Sequence, residues 1–368
     1  MSDFLIIGGG IMGMLSSYAL AKKGFSIRLV ESQRCGQQAS WAGGGIVSPL
    51  SPWDYADSIT NLTKLSQQLY PSLIEQLMSE TGIDSQLYQT GLISLFGDVD
   101  ERSSVNEVPA RVQAWAAQHS VDLKLISSDI IETLQPGLNH RATGGIWMPQ
   151  VCNVRNPRLL KALKQAISQQ PLICVEENTS ITEFLIEGQR VSGAASQTQR
   201  FHAEKTLITS GAWSQQLLSN VGSETPIWPI RGQMLLYKPA APLLQRIVLS
   251  GNRYLIPRRD GHILVGSTLE NVGFDNSTTE QAYTELRGYA ESILPALADF
   301  PVVQQWAGLR PASPAGIPKI GAIAGYDNFY INAGHFRNGL VLAPSSVQLV
   351  VEQMLGETPS LDCGPYQL

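Results

Sequence analysis

The apolar run Phe4-Leu5-Ile6-Ile7 leads straight into Gly8-Gly9-Gly10-Ile11-Met12-Gly13. A short uncharged run of this kind reads as a parallel strand buried on both faces. Gly8 permits a tight turn out of the strand, and Gly10 lets a pyrophosphate approach the backbone. Gly13 lets the following helix pack close to the sheet. That helix is predicted over 11–23, with Gly24 as its C′ stop. Its N-terminus offers free N–H groups and a partial positive charge to phosphates. A second strand over 26–30 ends at Glu31, which can accept hydrogen bonds from a ribose diol and disfavours a 2′-phosphate. The competing reading is a glycine-rich turn in an ordinary βαβ unit. The order strand, helix, strand, acid favours a dinucleotide site that does not take NADP. A cleaved leader is not expected, because Asp3 stands where a basic region would be and glycines interrupt the apolar run.

The 368-residue length suggests two domains and allows a large core. The net charge of −5 without a basic block argues against nucleic acid as a partner. Apolar runs fall short of a bilayer span, so no membrane role is expected. Cys35, Cys152, Cys174 and Cys363 are scattered and form no CxxC pair. They indicate neither zinc nor a disulfide framework, and a reducing cytoplasmic setting follows as the expectation. The five histidines show no metal-ligand spacing, so no metal is expected.

Apolar periodicity predicts a helix over 54–82, with Leu62, Leu65, Leu69, Leu73 and Leu77 on one face. Further helices are predicted over 108–118, over 157–169 with Pro157 in first position, over 278–294 and over 344–355. Strands are predicted at 91–95, 172–175, 180–186, 205–209, 233–237, 254–256, 262–265 and 329–333. Strand–glycine–helix punctuation recurs near 208–214 and 330–340. The expected class is α/β, α+β overall. A Rossmann-like nucleotide domain is assembled from residues 1–85, 140–222 and 309–368, and a strand-rich domain from 86–139 and 223–308.

Four further constellations bear on chemistry. Residues 36–49 form a second glycine loop, Gly43-Gly44-Gly45 at its centre. A flavin needs backbone donors without intervening side chains, so this loop favours FAD over NAD, with a mobile surface loop as the plain alternative. Arg310, in Trp306-Ala307-Gly308-Leu309-Arg310-Pro311, is one cation in an apolar segment. It reads equally as a bidentate clamp for a substrate carboxylate or as half of a structural ion pair. Arg337, in Gly334-His335-Phe336-Arg337-Asn338-Gly339, stands at a strand end and reads as a contact to substrate or to the cofactor. Tyr254 opens a strand, where packing is the ordinary role and a hydrogen bond to a carboxylate the functional one. No Ser/His/Asp set or carboxylate pair stands out. That suits an amine oxidation in which the protein orients the substrate and the cofactor takes the electrons.

Together these segments resemble the FAD-dependent D-amino acid oxidase family, and within it the bacterial glycine oxidases of thiamine biosynthesis. The matching motifs include Ser40-Trp41-Ala42-Gly43-Gly44-Gly45-Ile46-Val47-Ser48-Pro49, Asn153-Val154-Arg155-Asn156-Pro157-Arg158, Ser210-Gly211-Ala212-Trp213-Ser214 and Ile256-Pro257-Arg258-Arg259-Asp260-Gly261-His262. The segments around Arg310 and Arg337 complete the set. The resemblance implies non-covalent FAD and a D-amino acid oxidase-like fold, in which the strand-rich domain binds the substrate. It implies that Ile11 and Met12 meet the pyrophosphate at the helix start, with Gly8, Gly10 and Gly13 in the same cofactor-binding turn, and that Glu31 and Ser32 meet the adenosine ribose. Gln38, Ala39, Ser40, Gly43, Gly44, Gly45 and Gly211 would line the cofactor, and Ile181 would meet the adenine. His335, Phe336, Arg337, Asn338, Gly339, Leu340 and Val341 would wrap its far side. Arg310 would clamp the substrate carboxylate, with Tyr254 and Arg337 assisting.

The reaction so implied oxidises glycine to its imine, with O2 reduced to hydrogen peroxide. The imine hydrolyses to glyoxylate and ammonia or is handed to thiazole synthase. A homotetramer is the implied assembly. The alternative is a D-amino acid or sarcosine dehydrogenase with a quinone acceptor. Two positions depart from the family pattern. Ala312 stands where glycine is usual, and Leu269 stands at a pocket position where some relatives have methionine. The absence of cysteine between 175 and 362 argues against a covalent flavin in the C-terminal segment.

Overall fold

The computed structural model describes residues 2–96, 107–139 and 142–368. Its first sheet has strand Ser2–Ile7 near the centre, flanked in parallel by Ile27–Val30 and Arg200–Ile208. Ile173–Glu176 extends it on one side, and Phe329–Ala333 and the antiparallel Lys319–Ala322 on the other. The alternation of Cβ atoms along a strand explains why the first run is wholly apolar. Phe4 and Ile6 pack with helices Ile11–Lys22, Asp57–Thr81, Asn156–Ser168 and Gly339–Leu355. Leu5 and Ile7 face the opposite way, against Ile181, Phe184 and Val191 of the hairpin Ile181–Glu187 and Arg190–Ser196.

The second sheet runs in the order Val302–Ala312, Trp228–Tyr237, Ile263–Gly266, Arg253–Pro257, Ile247–Ser250, Leu92–Phe96, Gly144–Met148, Lys124–Ser127. One face buries Leu235, Leu255 and Val265 against Leu286 and Ala290 of helix Glu280–Ile293. The other face turns Met234, Tyr254 and Ile256 towards Ile46 of the second glycine loop. Two residue stretches therefore belong elsewhere than expected. Gly144–Met148, expected in the nucleotide domain, pairs with Leu92–Phe96 in the second sheet. Leu309–Ala312 completes the edge strand of that sheet rather than opening the nucleotide segment. The expected boundary at 140 falls outside the described residues.

Two other differences have local causes. Strand Val302–Ala312 was not expected, because Gly308 and Pro311 interrupt its pattern. It lies at the sheet edge, where a missing N–H is tolerated. The last long helix starts at Gly339 rather than 344 and takes Pro344 inside it. Proline cannot donate to the carbonyl four residues back. That carbonyl is Leu340's, and the buried Tyr70 hydroxyl donates to it at 2.5 Å from helix Asp57–Thr81. Tyr70→Phe leaves the carbonyl without this donor. It should cost about 1–2 kcal/mol of stability in urea unfolding of the holoprotein. An unchanged midpoint would show that the carbonyl has another partner.

Candidate active site

The carboxyl ends of the parallel strands open on a cavity of about 720 Å³. This is the usual ligand position in an open α/β sheet. Its wall begins at Ile7, Gly8, Gly10, Ile11 and Met12, and continues through Glu31, Ser32, Gln38, Ala39 and Ser40 to Gly43, Gly44 and Gly45. Ile181, Gly211, His335, Phe336, Arg337, Asn338, Gly339 and Leu340 line it, and so do Tyr254 and Arg310. Gly13 and Val341 stand behind the wall. A Cβ on Gly13 would fall 1.8 Å from the Gly8 carbonyl oxygen, so its role is helix–strand contact. Val341 is buried in the core beneath.

The dinucleotide end is built around the first helix. Gly10 caps this helix without a side-chain bond, and its first turn has no acidic residue. The Ile11 N–H donates to Ser40 Oγ at 3.0 Å. The Glu31 carboxylate accepts from the Gly9 N–H at 2.6 Å and the Gln33 N–H at 2.9 Å, and Ser32 Oγ lies at 3.0 Å. These bonds fix the carboxylate on the cavity wall. Gly9 had no role in the sequence reading. A Cβ there would meet Cys35 Sγ at 2.5 Å, so the third glycine makes room for the Cys35 and Glu31 side chains. Burial, with Glu177 and Glu31 nearby, pushes the Cys35 thiol up to about 12. None of the described residues lining the cavity is a cysteine.

The residues present fit a bound FAD. Gly8, Gly10, Gly43, Gly44 and Gly45 line the cavity, so the wall along the first helix and the second glycine loop carries no side chain at these positions. The N-terminus of helix Ile11–Lys22, without an acidic residue or a side-chain cap, stands on this wall and suits a pyrophosphate. Gly45 has φ +83°, and a Cβ there would sit 2.1 Å from the Val154 carbonyl oxygen. The loop 43–45 can therefore press against its support while keeping its other side free of side chains.

Arg258 holds that loop from the second sheet. Its guanidinium donates to the carbonyls of Gly44 at 2.8 Å and Val154 at 3.1 Å, and to Asn153 Oδ1 at 3.0 Å. Burial, with Arg155 as a like charge, lowers its pKa to about 10. Trp306 Nε1 donates to the Ala42 carbonyl at 3.0 Å, and its ring meets Trp41 edge-on at 5.5 Å. The motif at 256–262 marked Arg258 in the sequence, but only its three acceptors reveal what it does.

At the other end, strand Val302–Ala312 presents Arg310 to the cavity. Its Nη2 donates to Ser267 Oγ at 2.7 Å and its Nη1 to the Thr268 carbonyl at 3.2 Å. Both acceptors are neutral. No ion pair within 4.0 Å joins Arg310 to a carboxylate among the described residues, so it is not half of a structural pair. Burial and the like charge of Arg337 hold its pKa down, against opposing contributions from Tyr254 and Glu270. Gly232 lies directly under the guanidinium, where a Cβ would fall 1.9 Å from Nη1. A glycine inside a strand is a signal of such close approach. Ser267 and Thr268 offered no comparable signal.

Tyr254 reaches the same region, its hydroxyl 3.6 Å from Met234 Sδ and close over Gly44. Arg337 also lines the cavity, but its bonds go to Asn252, at 3.3 Å to Oδ1 and 3.1 Å to the carbonyl. It thus ties the segment after Phe329–Ala333 to the hairpin turn between Ile247–Ser250 and Arg253–Pro257. Leu269 does not fill the pocket position expected for it. It is 43% exposed and outside the cavity wall. Ala312 ends the edge strand, opposite Trp228.

Two predictions follow from this geometry. Arg258→Met strips the Gly44 and Val154 carbonyls of their donor. It should weaken FAD binding about tenfold, some 1.4 kcal/mol, in titrations of the apoprotein. An unchanged affinity would remove Arg258 from the support of the loop. His335 is buried with Nε2 3.1 Å from Ser346 Oγ, and burial lowers its pKa from 6.5 to about 3. The folded protein keeps the imidazole neutral, whereas the unfolded chain protonates it below 6.5. The stability from this group is full above pH 6.5 and is lost as pH falls towards 3. About 1–2 kcal/mol should disappear between pH 6.5 and 5 in denaturant titrations, and His335→Gln should flatten that limb. An equally steep limb in the variant would assign it to other groups.

Comparison with known proteins places the chain. The family model described as FAD dependent oxidoreductase (DAO) matches residues 3–353. A glycine oxidase of Pseudomonas aeruginosa is 44% identical over 98% of this chain and 97% of its own length. A bifunctional ThiO/ThiG protein of Synechocystis is 30% identical over 98% of this chain, which spans 52% of that relative. The crystal structure of glycine oxidase from Geobacillus kaustophilus superposes with a TM-score of 0.92 at 27% identity, covering 100% of this chain and 98% of that one. With a family model spanning nearly its whole length and a glycine-lined cavity at the strand ends, the chain belongs to the FAD-dependent oxidoreductases of the D-amino acid oxidase family.

Proposed function

We propose that this protein is a glycine oxidase. It oxidises glycine to its imine with FAD and reduces O2 to hydrogen peroxide, and the imine hydrolyses to glyoxylate and ammonia. The observation that carries this reading is Arg310, a cation on the wall of a dinucleotide-sized cavity that donates to the neutral Ser267 Oγ and Thr268 carbonyl and pairs with no carboxylate among the described residues. The similarity to the Pseudomonas aeruginosa enzyme supports glycine as the substrate.

FAD bound in this cavity supplies the two-electron acceptor. The chain's own residues bind and orient. Gly8, Gly10, Ile11 and Met12 would hold the pyrophosphate, Glu31 and Ser32 the ribose, Ile181 the adenine, and residues 38–45, 211 and 335–340 the remainder. Arg310 would take the substrate carboxylate with the N–H groups that its neutral partners leave free, and Tyr254 would add a hydrogen bond. Arg337 would serve by closing the Asn252 turn over the site. Glu31 is engaged at the glycine turn and His335 is held neutral, so neither is placed as a strong base at the substrate end. Catalysis then rests on orientation rather than on a dedicated base.

The ThiO/ThiG relative supports a hand-off of the imine to a thiazole-forming enzyme, within thiamine biosynthesis. A homotetramer is the expected assembly, measurable by sedimentation. No described helix is long and apolar enough to cross a membrane. An aerobic panel of glycine, sarcosine and small D-amino acids, read by peroxide release, tests the substrate. Glycine should give the highest kcat/KM. Turnover only with a quinone acceptor would contradict the oxidase reading. Arg310→Ala should keep FAD bound and raise the glycine KM at least about tenfold, the equivalent of 1.4 kcal/mol. An unchanged KM would remove Arg310 from the substrate site.

A further inference from the structure

The two acceptors of Arg310 lie on the segment that leaves strand Ile263–Gly266, and a buried polar network fixes that segment from behind. Along Trp228–Tyr237, Gly232 faces the Arg310 guanidinium, while its neighbours Arg231 and Gln233 point to the other side. Both are buried, at 4% and 0% exposure. The Gln233 N–H donates to Thr268 Oγ1 at 2.9 Å, and its side-chain amide donates to Glu270 Oε1 at 3.0 Å. The Thr268 hydroxyl donates to the same Glu270 oxygen at 2.5 Å. Arg231 holds the other oxygen, with Nη2 at 2.6 Å and Nε at 3.1 Å from Glu270 Oε2. Its Nη1 reaches Asp275 at 2.6 Å. Backbone bonds between Arg231 and Glu270 run in both directions, at 2.9 and 3.0 Å.

A carboxylate therefore sits two residues from the carbonyl that Arg310 touches, yet all its close partners lie on the far side of the strand. Gln233 and Thr268 serve Glu270 Oε1 alone, and among the described residues only Arg231 donates to Oε2. A carboxylate oxygen freed near a partly desolvated guanidinium is drawn to it, because desolvation strengthens the attraction. We propose that Arg231 is a positioning residue that holds Glu270 away from Arg310, leaving the guanidinium open to an anionic substrate. It acts through Glu270 and touches neither substrate nor cofactor. Without Arg231, the Glu270 carboxylate becomes an internal competitor for the carboxylate site. The inference rests on Arg310 as the carboxylate clamp.

Its test uses the FAD-loaded enzyme. Arg231→Met should raise the glycine KM and the inhibition constant of acetate by about tenfold or more, with a smaller change in kcat. Adding Glu270→Gln removes the competitor, and the double variant should return both constants to within about threefold of the parent. A purely structural role for the pair would not be rescued in this way. Arg231→Lys keeps the charge but surrenders bonds to Glu270 and Asp275, so it is the milder form if Arg231→Met does not fold. It should give a KM rise of about twofold to fivefold, again abolished by Glu270→Gln. An unchanged KM in the Arg231 variants, or a rise that Glu270→Gln leaves in place, overturns the proposal. Arg310→Ala measured alongside separates the failures. If its KM is unchanged, the clamp reading has failed. If its KM rises while the Arg231 variants stay flat, only the inference about Arg231 has failed.

Discussion

The site depends on a guanidinium kept without a protein carboxylate. Leaving Arg310 unpaired near the core is costly, since a desolvated cation seeks an anion. The chain meets that cost with neutral acceptors at Ser267 and Thr268, and with Gly232 clearing the space beneath. Arg231 shows the ordinary alternative one position away, paired with both Glu270 and Asp275. The contrast between the two arginines separates a binding group from a structural one. Both are cations on adjacent strands of one sheet, Arg231 buried and Arg310 half-buried on the cavity wall, and it is their partners that set their roles apart.

The second constraint is that cofactor and substrate walls come from different sheets. The parallel sheet supplies the turns at Gly8, Glu31, Gly211 and His335, and the antiparallel sheet supplies Tyr254 and Arg310. Their relative placement is set by a few polar ties across the junction. Arg258 grips the carbonyls of Gly44 and Val154, Trp306 grips Ala42, and Arg337 grips Asn252. Each tie runs from one sheet's periphery to a loop of the other. Glycines at 43–45 are needed there because the loop has close neighbours, with Val154 and Asn156 near Gly45 and Tyr254 and Ile256 near Gly44.

Much of this was legible in the chain, and the limits have physical reasons. The first strand, its helix and Glu31 could be read because parallel-strand burial and the glycine turn leave strong local patterns. The strands at 205–209 and 329–333 were readable for the same reason, though Arg200–Ile208 extends further through its antiparallel hairpin. Sheet membership of Gly144–Met148 was not readable, since long-range pairing leaves no local mark. Pro344 read as a helix start because its missing N–H is tolerated there, and only Tyr70, distant in sequence, supplies the bond that lets it sit inside. Arg310 stood out as a lone cation, but whether it had a carboxylate partner was open until Ser267 and Thr268 were located. Leu269 was misplaced because a residue two positions from a pocket group can still point to solvent.

The central claim is that Arg310 holds the glycine carboxylate where the bound FAD can oxidise the amine. Anaerobic mixing of the yellow holoenzyme with glycine tests it most directly, with methylamine, which lacks the carboxylate, as the comparison. The account predicts rapid bleaching of the visible flavin band by glycine and little by methylamine at the same concentration, with the glycine response lost in Arg310→Ala. A flavin that stays oxidised with glycine, or that bleaches equally with methylamine, would contradict it.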